Sequence, residues 1–172
     1  MTIATLARCL ICSVALLREG TAGEEVARLS PAVFAELPVN VVAALERRGC
    51  TIPQHAESSR RANVIRGEFA RPGQTDWVVL CSRAGHLETI VFWNGLAAKM
   101  EIVFSLQVPD PLRSPFETEI APVSRDYILD HCRAGGVEPP PIDHQGIETS
   151  TGMSSGIQYF YRGKWLLLSG AD

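Results

Sequence analysis

The sequence predicts an α+β fold, a mainly antiparallel sheet of five to seven strands with two or three short helices packed on it. Three observations lead there. First, residues 76–82 and 88–93 are apolar on both faces: Trp77, Val79 and Cys81 alternate with Val78 and Leu80, and Ile90 and Phe92 alternate with Val91 and Trp93. Strands of this kind sit in the middle of a covered sheet, so helices or a second sheet must lie on each side. Second, two segments carry helix punctuation at both ends. Third, residues 156–161 and 164–168 flank Arg162-Gly163 as a closing hairpin.

Taken in order, the first element after the leader is a short helical stretch within 24–36, with Ser30-Pro31 as N-cap and first helical residue. Pro38 opens a second helix. Val41, Val42 and Leu45 share one face of it, and Arg47-Arg48-Gly49 supplies a cationic last turn and a terminating glycine. Residues 50–62 read as a loop. Residues 63–69 form a strand, Pro72-Gly73 suits the middle of the following turn, and the two apolar strands come next, separated by Ala84-Gly85. Residues 100–106 extend the meander. Pro109, Pro111 and Pro115 make the next stretch irregular. Ser124 caps a helix over 125–134 that Gly135-Gly136 stops, and Pro139-Pro140-Pro141 forms a stiff connector to the last hairpin.

The first residues form a different kind of segment. Arg8 precedes an apolar run over 9–17, and Gly20, Thr21, Ala22 and Gly23 follow it. A basic start, an apolar run of about ten residues and a small-residue zone describe a secretory signal peptide. The run is too short to cross a bilayer, which takes about 20 apolar residues. The reading is a signal peptide over 1–22 and a single globular domain over 23–172, periplasmic or secreted, with no membrane span in the mature protein. Of five cysteines, Cys9 and Cys12 fall in the leader. Cys50, Cys81 and Cys132 remain, which allows one internal disulfide in an oxidising compartment. Cys50 follows a helix end and Cys81 faces a packed layer beside Trp77 and Val79, so Cys50–Cys81 is the expected bridge and Cys50–Cys132 its rival.

Composition narrows the function. The chain carries a formal net charge of −3. Its densest basic stretch, Arg60-Arg61 with Arg66 and Arg71, is too sparse to track a phosphate backbone, which argues against nucleic acid as a partner. The four histidines, His55, His86, His131 and His144, show no zinc spacing, and no metal or cofactor is expected. Gly152-Met-Ser154-Ser-Gly156 matches the nucleophile-elbow pattern in letters only. A strand follows it where a helix is required, and no histidine comes after Ser154. No catalytic residue is therefore assigned.

A binding role is the preferred reading, with an envelope protein or a small ligand as partner. Tyr159, Tyr161 and Trp165 form its candidate surface, the two tyrosines sharing one strand face. The alternatives are a small hydrolase using Asp143 and Glu148, and an inhibitor of a secreted enzyme presenting residues 107–118.

Residues 63–80 resemble the strand–turn–strand of FG-GAP/VCBS-type repeats of extracellular β-propellers. Gly67, Phe69 and Asp76 stand where that pattern has its Gly-x-Phe and its strand-entry aspartate. The intervening Ala70-Arg-Pro-Gly-Gln-Thr75 lacks the family's calcium ligands, so calcium is not carried over. The segment does not recur, so a propeller is not implied. The domain as a whole, including Ile142-Asp-His-Gln-Gly-Ile147 and the segment from Gly163 to Asp172, also resembles uncharacterised exported bacterial proteins, which implies export.

Overall fold

The computed structural model describes residues 27–54, 60–108, 118–136, 138–151 and 154–169. The expected leader over 1–22, His55, most of the 107–118 loop and Gly152-Met153 lie outside the described residues. The elements in chain order are β1 (Ala27–Leu29), a 3₁₀ turn (Pro31–Val33), α1 (Val39–Arg47), β2 (Ile52–Gln54), β3 (Val64–Gly67), β4 (Asp76–Arg83), β5 (His86–Phe92), two 3₁₀ turns (Trp93–Gly95 and Ala97–Lys99), β6 (Met100–Gln107), β7 (Glu119–Val123), α2 (Arg125–Ala134), β8 (Gly146–Thr151), β9 (Ser154–Tyr161) and β10 (Lys164–Ser169).

Among the described residues ten strands form three antiparallel sheets, and this corrects the expectation of one sheet with five to seven strands. A first large sheet has the order β3-β4-β5-β6, a second has β10-β9-β8-β7, and β1-β2 make a small pair. Residues 50–62 are not all loop: β2 pairs with β1, and Thr51 makes both bonds of an antiparallel bridge to Ser82 near the end of β4. The chain around Ser30 makes one 3₁₀ turn, with the Ser30 hydroxyl accepting from Ala32 N–H.

Each apolar face finds a cover, so the architecture is four layers. Val79 and Cys81 of β4 with Ile90 and Phe92 of β5 meet Val41 and Leu45 of α1, together with Phe34, Leu37 and Ile52. The opposite faces, Val78, Leu80, Leu87 and Val91, meet Ile120 of β7 and Ile147 of β8, so the first sheet packs on the second. The far face of the second sheet carries Ile157, Tyr159 and Leu168 against Ile128 and Cys132 of α2. Helix α2 begins as its cap requires, Ser124 Oγ accepting from Tyr127 N–H at 3.2 Å. Buried apolar area of this extent is the main stabilising term, at roughly 25 cal/mol per Å² removed from water.

Local chemistry sets the register. The β4–β5 and β9–β10 hairpins turn through Ala84-Gly85 and Arg162-Gly163, with both residues of each pair at positive φ, the two-residue geometry that matches strand twist. Cys50 and Cys81 are joined, with Cα atoms 5.4 Å apart and a sequence separation of 31. The bridge fastens the end of α1 to the central strand and contributes roughly 3–4 kcal/mol in the loop-entropy account. Cys132 is a buried free thiol, and burial raises its pKa. No helix among the described residues is long and apolar enough to cross a membrane.

The two large sheets meet differently at their two edges. At the β3/β7 edge they are stitched. Asn63 Nδ2 donates to Pro53 O and Thr118 O, its Oδ1 accepts from Ile120 N–H, and its own carbonyl accepts from Leu80 N–H. Gln145 bonds the main chain of Glu68 in both directions. A Cβ on Gly67 would come within 2.6 Å of Gln145 Oε1 and 2.7 Å of Phe69 Cζ, so a larger residue would have to displace both side chains.

Candidate functional site

The opposite edge, β6 against β10, is where the sandwich opens. One end of this seam is closed by an aromatic clamp. Trp93 and Trp165 stack with ring centroids 5.6 Å apart, and Phe160 lies 4.9 Å from Trp93 and 5.2 Å from Trp165. Both indole N–H groups donate to one carboxylate, Trp93 to Glu101 Oε2 and Trp165 to Glu101 Oε1, each at 3.0 Å. With both donors satisfied internally, the clamp joins the sheets and keeps its polar atoms occupied.

Beyond the clamp the sheets part around a cleft of about 210 Å³. Leu80, Leu87, Phe104 and Leu106 line it from the first sheet; Thr149, Gln158, Gly156 and Leu167 line it from the second. Register explains the placement. Leu106 pairs with Leu87, and Phe104 with Thr89, past a bulge in β6, so both β6 side chains point inward between the sheets. On β10, Trp165 and Leu167 alternate with Leu166 and Leu168, which face α2. At the mouth, Phe104 and Leu106 are each 40% exposed and Leu167 is 72% exposed. Thr151, Ser154 and Ser155 form a hydroxyl-bearing rim, and buried Thr118 lines the inner end. No ionisable side chain lines the cleft among the described residues, so it is a place for apolar matter and lacks an acid or base for chemistry.

The residues expected to form a binding surface are not brought together, and that expectation is corrected. Tyr159 and Tyr161 do share a face, but it is the face packed beneath α2, and Tyr159 is fully buried. Trp165 points the other way, into the clamp. Strand alternation puts residues 159 and 161 opposite to Phe160, and only the position of α2 decides which set is covered. Ser154 is not an elbow nucleophile. It starts β9, and its hydroxyl lies 3.2 Å from Thr151 Oγ1 at the cleft rim.

Asp143 and Glu148 serve separate networks. Tyr127 Oη donates to Glu148 Oε1 at 2.9 Å, which raises the tyrosine's pKa. Asp143 belongs with His144 and Tyr159: Tyr159 Oη accepts from Asp143 N–H at 3.1 Å, lies 2.6 Å from His144 Nδ1 and 3.2 Å from Asp143 Oδ1. The Nδ1–H tautomer of His144 is the one that leaves no N–H of the ring buried without an acceptor. His144 then donates to Tyr159 and Tyr159 donates to the carboxylate. His144 Nε2 is buried with no hydrogen-bond partner, so a proton placed there would be stranded. Burial lowers the His144 pKa, against the opposing pull of Asp143, Asp76 and Glu68. Among the described residues, no group of three or more His, Cys, Asp or Glu side chains could hold a metal ion.

The lowered His144 pKa has a definite sign for stability. The neutral ring is favoured in the folded state, so the unfolded chain takes up this proton first as pH falls. The contribution is fully present above the unfolded value of about 6.5 and is lost as pH falls through the folded value. Urea midpoints recorded between pH 7.5 and 5 should therefore fall more for the parent protein than for His144→Asn, which keeps a donor toward Tyr159 but cannot titrate. Parallel pH profiles for the two proteins would refute this.

No family model, curated protein or solved structure matches the chain.

Proposed function

We propose that this protein is an exported, non-enzymatic binding module and that the cleft at the β6/β10 seam is its site. The observation that carries the reading is the exposure of Phe104, Leu106 and Leu167 around a cleft without ionisable groups. Large apolar side chains left in water beside a concave surface mark a place where something apolar docks. The Cys50–Cys81 disulfide and the leader-like residues 1–22 support an oxidising compartment outside the cytoplasm.

Toluene, an uncharged probe of one ring, tests the site directly. Its binding, followed by NMR line broadening on titration with the protein, should rise saturably to one molecule per chain. Leu167→Glu should weaken that binding at least tenfold, because it sets a charge at the apolar mouth. Since Leu167 is mostly exposed, the unfolding midpoint of the variant should stay close to the parent's. No saturable rise, or equal binding by the variant, would refute the assignment.

A further inference from the structure

The two edges of the sandwich differ in what would become of their polar groups if they parted. At the β3/β7 edge Asn63 is 2% exposed, and separating the sheets there would strand its amide together with Thr118 O and Ile120 N–H. Among the described residues, the polar link between the sheets at the β6/β10 edge is one carboxylate. Glu101 stands opposite Val91 in the β5–β6 ladder and so faces the inter-sheet layer, where it accepts from Trp93 of the first sheet and Trp165 of the second. Glu101, Trp93 and Trp165 are all half-buried. Water can therefore take over each of these bonds as the strands part, leaving no donor or acceptor stranded. A leucine or methionine in place of Glu101 would shut the seam by packing alone, without the cost of holding a charge against neutral donors. The carboxylate shuts it with directional bonds that water can exchange.

Strand β6 adds a second feature. Its pairing with β5 shifts register between Thr89 and Ile90, and a bulge lets an edge strand bend. The shift separates Glu101 and Ile102, beside the clamp, from Phe104 and Leu106, which line the cleft. We propose that Glu101 is a releasable latch: when its bond to Trp165 breaks, β6 and β10 swing apart about the stitched β3/β7 edge, and the cleft widens toward the clamp. The inner core, Val78 and Leu80 with Ile120 and Ile147, stays packed beside the pivot. The swing belongs to the fold and needs no occupant in the cleft, so it can be measured apart from the binding role.

Relaxation-dispersion NMR on methyl and indole groups, with no ligand present, reads motions of microseconds to milliseconds and tests the latch. Two variants remove it from opposite sides. Glu101→Gln leaves one acceptor for two indoles, and Trp165→Phe keeps an aromatic ring without an N–H. In both, the methyls of Leu106 and Leu167 and the indole of Trp93 should share one exchange process, with the open population raised about tenfold over the parent. Ile120, Ile147 and the Asn63 side-chain amide should take no part. Trp77, whose indole donates to Glu36 O, is the control within the first sheet and should be unaffected. Absence of shared exchange in both variants would overturn the latch. Exchange at Ile120 and Ile147 as strong as at Leu106 would overturn the pivot. An effect of Glu101→Gln that Trp165→Phe lacks would place the carboxylate's role inside the first sheet alone and overturn the link between sheets.

Discussion

Replacing Asn63 with alanine is expected to lower stability by about 4–6 kcal/mol, a large part of the roughly 5–15 kcal/mol that holds a typical domain folded. Asn63 is 2% exposed and has φ of 68°. Its side chain satisfies two carbonyls and one N–H, belonging to Pro53, Thr118 and Ile120, and so ties β2 and β7 to the strand that follows it. Alanine would leave all three groups buried and unpaired, at about 1–3 kcal/mol each. It would also hold a Cβ in the left-handed region, where asparagine is tolerated and most residues are not. Asn63→Gly separates the two effects, because it loses the same bonds without backbone strain and should be about 1 kcal/mol less damaging. Urea unfolding of the three proteins measures this directly. An alanine variant within 1 kcal/mol of the parent would show that water or relaxation replaces the bonds.

Asp76→Ala is expected to be comparably severe, at about 3–5 kcal/mol, because it leaves several neutral N–H donors without an acceptor. The residue is fully buried, and its carboxylate accepts four hydrogen bonds, from Phe69 N–H and Ala70 N–H at 3.2 Å and from Gln74 Nε2 and Asn94 N–H at 2.8 Å. These bonds fold the turn between β3 and β4 and fix the start of the segment carrying Trp93. Asp76→Asn keeps one oxygen but turns an amide N–H₂ toward N–H donors, so it should recover only part of the loss. Because Trp93 is anchored through Asn94, both variants should also change tryptophan emission before global unfolding. Unchanged stability in Asp76→Asn would show that carboxylate charge is not what organises the turn.

These two residues bear on what was legible in the sequence. Asp76 stands at the strand-entry position of the FG-GAP-like pattern, and Gly67 and Phe69 are its companions. Here each has a physical task without calcium: Gly67 admits Gln145, Phe69 fills the inter-sheet core, and Asp76 gathers the turn's N–H groups. Strands β4 and β5 could be read because both faces are apolar, and α2 because Ser124 and Gly135 punctuate it. The disulfide followed from the helix end at Gly49 and the facing of Cys81. Strands β7 and β8 were not legible. Glu119-Ile-Ala-Pro-Val and Gly146-Ile-Glu-Thr-Ser-Thr carry few β-branched apolar residues on a regular alternation, and their pairing is fixed by strands distant in sequence. The three-residue β1 and β2 are too short to show a period. The cleft was hidden for a similar reason. Phe104, Leu106 and Leu167 are ordinary inward strand residues, and their exposure depends on how far the two sheets part at one edge. Ser154 drew notice for a chemistry it lacks, and its position at the rim became visible only once the two sheets faced each other.

The strand orders of the two large sheets have a consequence for how the chain reaches this state. Within each sheet, neighbours in space are neighbours in sequence, β3 through β6 and then β7 through β10. Each sheet is thus a chain of antiparallel pairings whose loops close over modest distances, and such pairings are cheap in loop entropy and quick to form. The contacts between sheets join residues much further apart, as in the 64-residue separation between Glu101 and Trp165. Two meanders assembling independently and docking late is the order this topology favours. The Trp93–Trp165 stack comes into being only at that docking, so the molecule carries its own optical clock for the last step of folding.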